Sequence, residues 1–178
     1  MSAAVSPVIT VANLDLHRAA LIELNIEYVS WVMQGIERLQ GVSAREVLGM
    51  SVAEYVPTII DKVCGETPPS GAFYIVEVDG KLAGMGGLRR LREGAAEFKR
   101  VYVRPGFRGA SIGQSLVTRL LGDARSFGYR DVFLDTVLFM ESAQRLYEAN
   151  GFAYCAAYEG IEAPKGMHAS IRFMHKTL

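Results

Sequence analysis

Arg108, Gly109, Ser111 and Gly113 lie close together in the stretch RPGFRGASIGQSLV at 104–117, where a β-like run gives way through a proline to a helical pattern. N–H groups at a helix start have no intrahelical partner and carry the positive end of the helix dipole. Small residues let an anion approach those groups, and Arg108 adds a forked cationic donor at the entrance. The chemistry this suits is binding of a phosphate or pyrophosphate at about Arg108 to Gln114. The alternative is that Gly109 and Gly113 only relieve crowding between strand, turn and helix. Two familiar phosphate loops are absent: there is no Gly-Lys-Ser/Thr and no Gly-x-Gly-x-x-Gly spacing.

Other chemistry-bearing residues are scattered. Cys64 and Cys155 are too few and too far apart for a disulfide framework or a metal motif, and no metal is expected. His17, His168 and His175 form no Ser-His-Asp or Cys-His arrangement that spacing identifies. Arg89, Arg90, Arg92 and Arg100 make a basic neighbourhood that either meets phosphates or lies on a solvated strand edge. Tyr28, Trp31, Tyr55 and Tyr158 either line an aromatic pocket or belong to the core.

The elements that must position these groups read as follows. A short strand at Val8–Val11 precedes a long helix from about Asn13 to Gln40, with Asn13 or Asp15 as cap. A second helical region, Ala44 to Val63, is expected to break at Pro57, and GETPPSG at 65–71 is a loop. Phe73–Val78 and Lys81–Leu88 flank Asp79–Gly80, a strong hairpin signal. A turn at Arg92–Gly94 leads to Ala96–Val103. The helix after the glycine loop runs from Ile112 to Phe127, followed by a strand at Val132–Val137 and a short helix at Ser142–Ala149. Closing strands are expected within Phe152–Tyr158 and Ala169–Lys176. This is a mixed α/β domain around one sheet.

With 178 residues the chain is expected to be a single domain, 1–178. Lys+Arg and Asp+Glu both count 19, so there is no positive footprint for bulk nucleic-acid binding. The start, MSAAVSPVITVANLDLH, lacks the basic and apolar regions of a signal peptide, and no apolar run approaches the ~18 residues of a membrane span. A cytoplasmic protein with no membrane partner is the expectation.

KRVYVRPGFRGASIGQSLVTRLLGDARSFGYRDVFLDT, followed by MESAQRLYEANGF, resembles the acyl-CoA-binding half of the GNAT superfamily of N-acyltransferases. The likeness is dense from Glu97 to Phe152. The hairpin FYIVEVDGKLAGMGGLRRL has the family's shape, and the N-terminal helices match in order and length alone. The family's Arg/Gln-x-x-Gly-x-Gly/Ala pattern falls on Arg108, Ser111 and Gly113, with Ser111 departing from the usual glycine.

The resemblance implies a mostly antiparallel sheet whose fourth and fifth strands, Glu97–Val103 and Val132–Val137, splay apart between flanking helices. It implies acetyl-CoA as acyl donor, its pyrophosphate held by Arg108, Gly109, Ala110, Ser111, Ile112, Gly113 and Gln114. Backbone groups of Val101, Tyr102 and Val103 would hold pantetheine and polarise the thioester carbonyl. Met140 replaces a common pantetheine-binding asparagine, for which Thr136 or Ser142 would substitute. AQRLYEANGF matches the family's motif for a tyrosine that protonates the CoA sulfur, here Tyr147, and a phenol with pKa ~10 suits that role. Glu97, eleven residues before Arg108, takes the place of the strand glutamate that serves as general base in members acting on histone lysines. Its alternative is an ion pair with Lys99, Arg89 or Arg90 on a solvated sheet face.

The expected activity is acetyl-CoA-dependent acetylation of the primary amine of a small molecule, by direct attack in a ternary complex. The alternatives are a non-catalytic acyl-CoA-binding or sensor domain, an acetyltransferase of protein N-termini or lysines, and a nucleotide-binding module with a generic phosphate loop. Dimers are common in the superfamily, so a homodimer is a further expectation.

Overall fold

The computed structural model describes residues 6–178. Strand β1 (Val8–Val11) leads into helix α1 (Leu14–Gln40), whose first turn is capped by the Asn13 side chain accepting from the Asp15 N–H. Helices α2 (Ala44–Leu48) and α3 (Val52–Cys64) follow. They meet at Gly49, left-handed at φ 76°, and at Ser51, which forms a capping box with Glu54. Pro57 was the expected break, yet it lies inside α3. It leaves the Ala53 carbonyl without an N–H, but both residues face solvent and water can supply the donor.

The sheet is built from β2 (Ala72–Val78), β3 (Lys81–Arg92), β4 (Ala95–Val103), β5 (Asp131–Val137), β6 (Ala153–Cys155) and β7 (Ile171–Thr177), with β1 at one edge. Its order is β1-β2-β3-β4-β5-β7-β6, antiparallel throughout except for the β4–β5 pair. Asp79 and Gly80, both at positive φ, make the expected hairpin turn between β2 and β3. Of the closing strands, β7 lies close to the expected span while β6 is much shorter. β6 keeps three residues at the outer edge, and a 3₁₀ segment at Lys165–Ser170 precedes β7.

Helices α4 (Ile112–Ser126) and α5 (Glu141–Ala149) cover one face of the sheet, packing Leu116, Leu120 and Tyr147 on Phe98, Val132 and Leu134. Helices α1 and α3 cover the other, packing Leu21, Leu24 and Ile60 on Phe73, Met85 and Tyr102. Each such fully buried side chain is worth roughly 1.5–3 kcal/mol, so both layers are held firmly against the sheet between them. Among the described residues no helix is long and apolar enough to cross a membrane.

Candidate active site

Strands β4 and β5 pair only at Ala95–Glu97 with Asp131–Phe133. Beyond that point each keeps its outer neighbour, β3 for β4 and β7 for β5, while the two part from each other. One local cause is a bulge. Met85 pairs with Tyr102 and Gly87 with Lys99, which leaves one extra residue in β4, and Arg100 takes φ 56°. A second is a clamp on α1. Arg104, at the end of β4, donates to both Glu27 carboxylate oxygens (2.9 and 2.6 Å) and to the Leu82 carbonyl (3.0 Å), and also pairs with Glu23.

The parted strands open a cavity of about 630 Å³, walled by β4, β5, the loop before α4, the start of α5 and the side of α1. Backbone groups of β4 and β5 that lack a ladder partner must find one elsewhere, so the exposed edge suits an extended amide-bearing chain.

At the α4 end, Gly109 lies at φ 86° and Ser111 at φ 58°. Ser111 is the N-cap residue, but its hydroxyl caps nothing, which leaves the first N–H groups of α4 open toward the cavity. Glycine adopts this left-handed backbone freely, and serine accepts it at about 1–2 kcal/mol. A Cβ on Gly113 would stand 3.1 Å from Leu146, so glycine permits α4 and α5 to approach closely. Gln114 and Asn150 exchange reciprocal 2.9 Å hydrogen bonds that tie the same two helices. Arg108 spans the mouth, its Nε 3.0 Å from the Val103 carbonyl and its guanidinium 5.1 Å from the Trp31 ring centre.

Toward the middle, Tyr147 packs edge-on against Phe152 and is nearly buried. Burial pushes its phenol well above the ordinary range, so it holds its proton, and among the described residues its hydroxyl has no hydrogen-bond partner. Thr136 also lines the cavity, its hydroxyl turned to the Met140 sulfur at 3.7 Å. Ser142 accepts from Arg145 at 3.3 Å.

The wall on the α1 side is aromatic and reaches Arg108 through Trp31. Trp31 meets Phe139 at 5.2 Å and Tyr102 at 5.9 Å, and Tyr28 meets Tyr102 at 5.8 Å. Gly35 makes this possible, because a Cβ there would overlap the Phe139 ring. Burial pushes the Tyr28 phenol up to about 12, with Arg100 opposing and Asp135 reinforcing the shift.

The structure brings together Tyr147, Val101, Tyr102, Val103, Arg108, Gly109, Ser111, Ile112, Gly113, Gln114, Thr136 and Ser142 on one cavity. Ala110 and Glu97 are not on its wall. Glu97 is fully buried on the α1–α3 face, accepting from Arg89 at 2.5 Å and from the Tyr158 hydroxyl at 2.8 Å, with Lys99 at 3.9 Å. This is the ion-pair alternative, realised inside the protein and extended by Glu162, which binds Lys62 at 2.9 Å and Lys99 at 3.0 Å. Burial still raises the Glu97 carboxyl above the ordinary range, against the pull of Lys99 and Arg89.

Of the four arginines read as a basic neighbourhood, only Arg100 reaches the cavity. Trp31 and Tyr28 line it, whereas Tyr55 and Tyr158 do not. Both cysteine thiols are pushed up by burial, Cys64 to about 12, which makes them poor nucleophiles. His168 contacts the Ala163 carbonyl and His175 contacts Asp131.

Besides Glu141 and several apolar residues, two cavity residues that matter for the chemistry are not singled out by the sequence pattern. Asp135 is one; its signal was a single carboxylate in the apolar run VFLDTV, at a position whose side chain alternates onto the face opposite Leu134. Phe139 is the other, placed by the turn between β5 and α5.

Residues 43–152 match the family described as Acetyltransferase (GNAT) family. Among curated proteins, the uncharacterized N-acetyltransferase YjgM of Escherichia coli (strain K12) is 30% identical over 89 residues, covering 48% of this chain and 53% of that protein. The chain thus spans about half the length of that relative. An IAA acetyltransferase of Azospirillum brasilense is 32% identical over 111 residues, covering 62% of this chain and 70% of its own. Among solved structures, PaiA N-acetyltransferase from Thermoplasma acidophilum, in complex with coenzyme A, superposes with a TM-score of 0.68 at 20% identity, covering 97% of this chain and 99% of that one. At that identity the likeness speaks for the fold.

Proposed function

The chain belongs to the GNAT acetyltransferase family, and we propose that it moves the acetyl group of acetyl-CoA to the primary amine of a small molecule, both substrates being bound at once. The observation that carries this reading is one continuous cavity. It runs from the open N-terminus of α4, along the unpaired edge of β4, to Tyr147 and Asp135.

Each part has a physical task. The N–H groups of Ile112, Gly113 and Gln114 receive the pyrophosphate at the positive end of α4, and Arg108 adds a cation at the mouth. Val101 to Val103 offer backbone groups to the pantetheine amides, and an N–H of this edge polarises the thioester carbonyl. The amine nitrogen attacks the carbonyl carbon and the new C–N bond forms; the nitrogen gives its extra proton to water in the cavity, and the C–S bond breaks as the oxyanion collapses. Tyr147 gives its proton to the departing sulfur and regains one from solvent.

Asp135 meets the geometric requirement for handling the amine better than Glu97. It lines the cavity, and among the described residues no side chain hydrogen-bonds or ion-pairs with it. Glu97 is held by Arg89 and Tyr158 and acts as a positioning residue for the wall behind. An alkyl-ammonium has a pKa near ~10, so Asp135 holds the cation and passes its proton to water in the cavity.

Calorimetry with acetyl-CoA, with ATP as control, tests the reading first. Saturable binding of acetyl-CoA alone supports it, and binding of neither withdraws it. Tyr147→Phe is expected to bind acetyl-CoA normally and to lower kcat about 100-fold in a thiol-release assay. Binding without turnover of any amine would instead make the protein an acyl-CoA sensor.

A further inference from the structure

Five charged side chains line the cavity: Lys99, Arg100, Arg108, Asp135 and Glu141. Three of them are engaged. Lys99 is paired with Glu162 at 3.0 Å, Glu141 with Arg145 at 3.4 Å, and Arg108 donates to the Val103 carbonyl at 3.0 Å. Arg100 and Asp135 are left, one of each sign. Among the described residues neither has an ion-pair partner or a side-chain hydrogen bond. Arg100 stacks instead on the Tyr28 ring, 5.4 Å from its centre.

The two charges stand on facing strands at the point where the sheet has opened, and both lie close enough to Tyr28 to act on its phenol in opposite directions. Arg100 is also held at positive φ in a bulge, a conformation that costs a non-glycine residue about 1–2 kcal/mol. A bulge re-aims the side chain it carries, here onto Tyr28 on the α1 side of the cavity. The aromatic wall of Trp31, Phe139 and Tyr102 adjoins this pair.

From this geometry we infer that the acceptor is a free α-amino acid with an apolar or aromatic side chain, its carboxylate held by Arg100, its amine by Asp135, and its side chain against Trp31 and Phe139. The inference rests on the N-acetyltransferase reading above. A zwitterion satisfies both half-buried charges at once, and an aromatic wall rewards an apolar side chain. A polyamine would set a second cation against Arg100, and a neutral amine would leave Arg100 without a partner.

The test is a thiol-release assay with acetyl-CoA and matched acceptors: L-phenylalanine and L-leucine, their carboxamides, the decarboxylated amines, and spermidine. The amine of a carboxamide is less basic and so more often neutral near pH 7.5, which favours it chemically. A preference for the acid must therefore come from binding.

The acids are expected to exceed their amides by about 30-fold or more in kcat/KM, the scale of a lost charge-assisted contact. Arg100→Gln should bring that ratio near one by raising KM for the acids more than it lowers kcat, and Arg100→Lys should restore part of it. The ratio in the unmodified protein stands even where Arg100→Gln fails to fold. Equal or better use of amides, decarboxylated amines or spermidine would overturn the inference, as would turnover of none of the panel. Absence of acetyl-CoA binding by calorimetry is a separate result, and it would sink the enzyme reading itself.

Discussion

The α4 end of the cavity comes from one continuous stretch, 103–114, and works mainly through backbone groups, with Arg108 as its cationic side chain. The aromatic end draws Tyr28 and Trp31 from α1, Arg100 from β4, Asp135 from β5 and Phe139 from the following turn, and works through side chains. The difference is one of what has to be specified. Open N–H groups at a helix start need small residues at fixed offsets from one another, and that is a local pattern. A pair of unpartnered charges needs two strands to diverge, a bulge to turn one side chain, and a helix laid across them both.

The two strand carboxylates make the contrast sharpest, and exchanging each for its amide would break or confirm it. Asp135→Asn is expected to lower kcat by about 100-fold, the scale of a lost proton-handling group, with acetyl-CoA affinity little changed. Glu97→Gln is expected to act mainly on stability. It removes the charge-assisted contacts of Arg89 and Lys99 with Glu97 but leaves both cations facing Glu162, a loss of about 1.5–3 kcal/mol in urea unfolding. If Glu97→Gln instead lost kcat while unfolding at the parent's urea midpoint, the roles assigned to the two carboxylates would have to be exchanged.

A smaller effect is expected from Gly35→Ala. The added methyl meets the Phe139 ring, and overpacking of this kind costs about 1–3 kcal/mol. Because Phe139 forms the aromatic wall, the KM of the acceptor should rise. The dissociation constant of acetyl-CoA, set mainly by the open N–H groups of α4 and linked to Phe139 only through Trp31 and Arg108, should move less. Parallel changes in both constants would show that the two ends are one mechanical unit.

The Glu162 cluster behind the wall can be probed by pH. Burial disfavours the Glu162 carboxylate, yet Lys99, Lys62 and Arg89 together hold its pKa at about 2, below the usual 4.5. A depressed carboxylate contributes stability that is fully present above about pH 4.5 and is lost as pH falls toward 2. Glu162→Gln should therefore lower stability at neutral pH by on the order of 1–2 kcal/mol, after discounting for its solvent-facing side. It should also flatten the acid limb of the stability curve within that window. An unchanged acid limb in urea midpoints from pH 5 to 2 would count against the cluster as the source of acid sensitivity.

This division explains what could be read in advance. Strand and helix positions followed from periodicity and turn chemistry, down to the Asp79–Gly80 hairpin and the α4 start. The helix break did not, because a proline with a solvent-facing missing bond is weaker punctuation than Gly49 followed by the Ser51 capping box. Spacing does not single out Asp135, because Tyr28 and Glu97, the groups its charge acts on, lie on distant parts of the chain. Glu97 was marked because it lies at a known offset from Arg108, but offset along a strand says nothing of which partners Arg89 and Tyr158 bring to it.

Ser111 tests the backbone end with the smallest expected change. At φ 58° it carries a left-handed cost of about 1–2 kcal/mol, from which Ser111→Gly recovers part, since glycine gives up about 0.5–1 kcal/mol of extra chain entropy on folding. The net expected gain is about 0.5 kcal/mol in urea unfolding. Its effect on acetyl-CoA affinity separates two ways the loop can work. The serine hydroxyl makes no cap bond, so it is free either to donate to a phosphate oxygen or to crowd it. A few-fold tighter Kd in Ser111→Gly means that bare N–H groups do the binding and the side chain only obstructs. A weaker Kd, despite the more stable fold, means that Ser111 replaced the family glycine by adding a donor, and that this end too depends on one side chain.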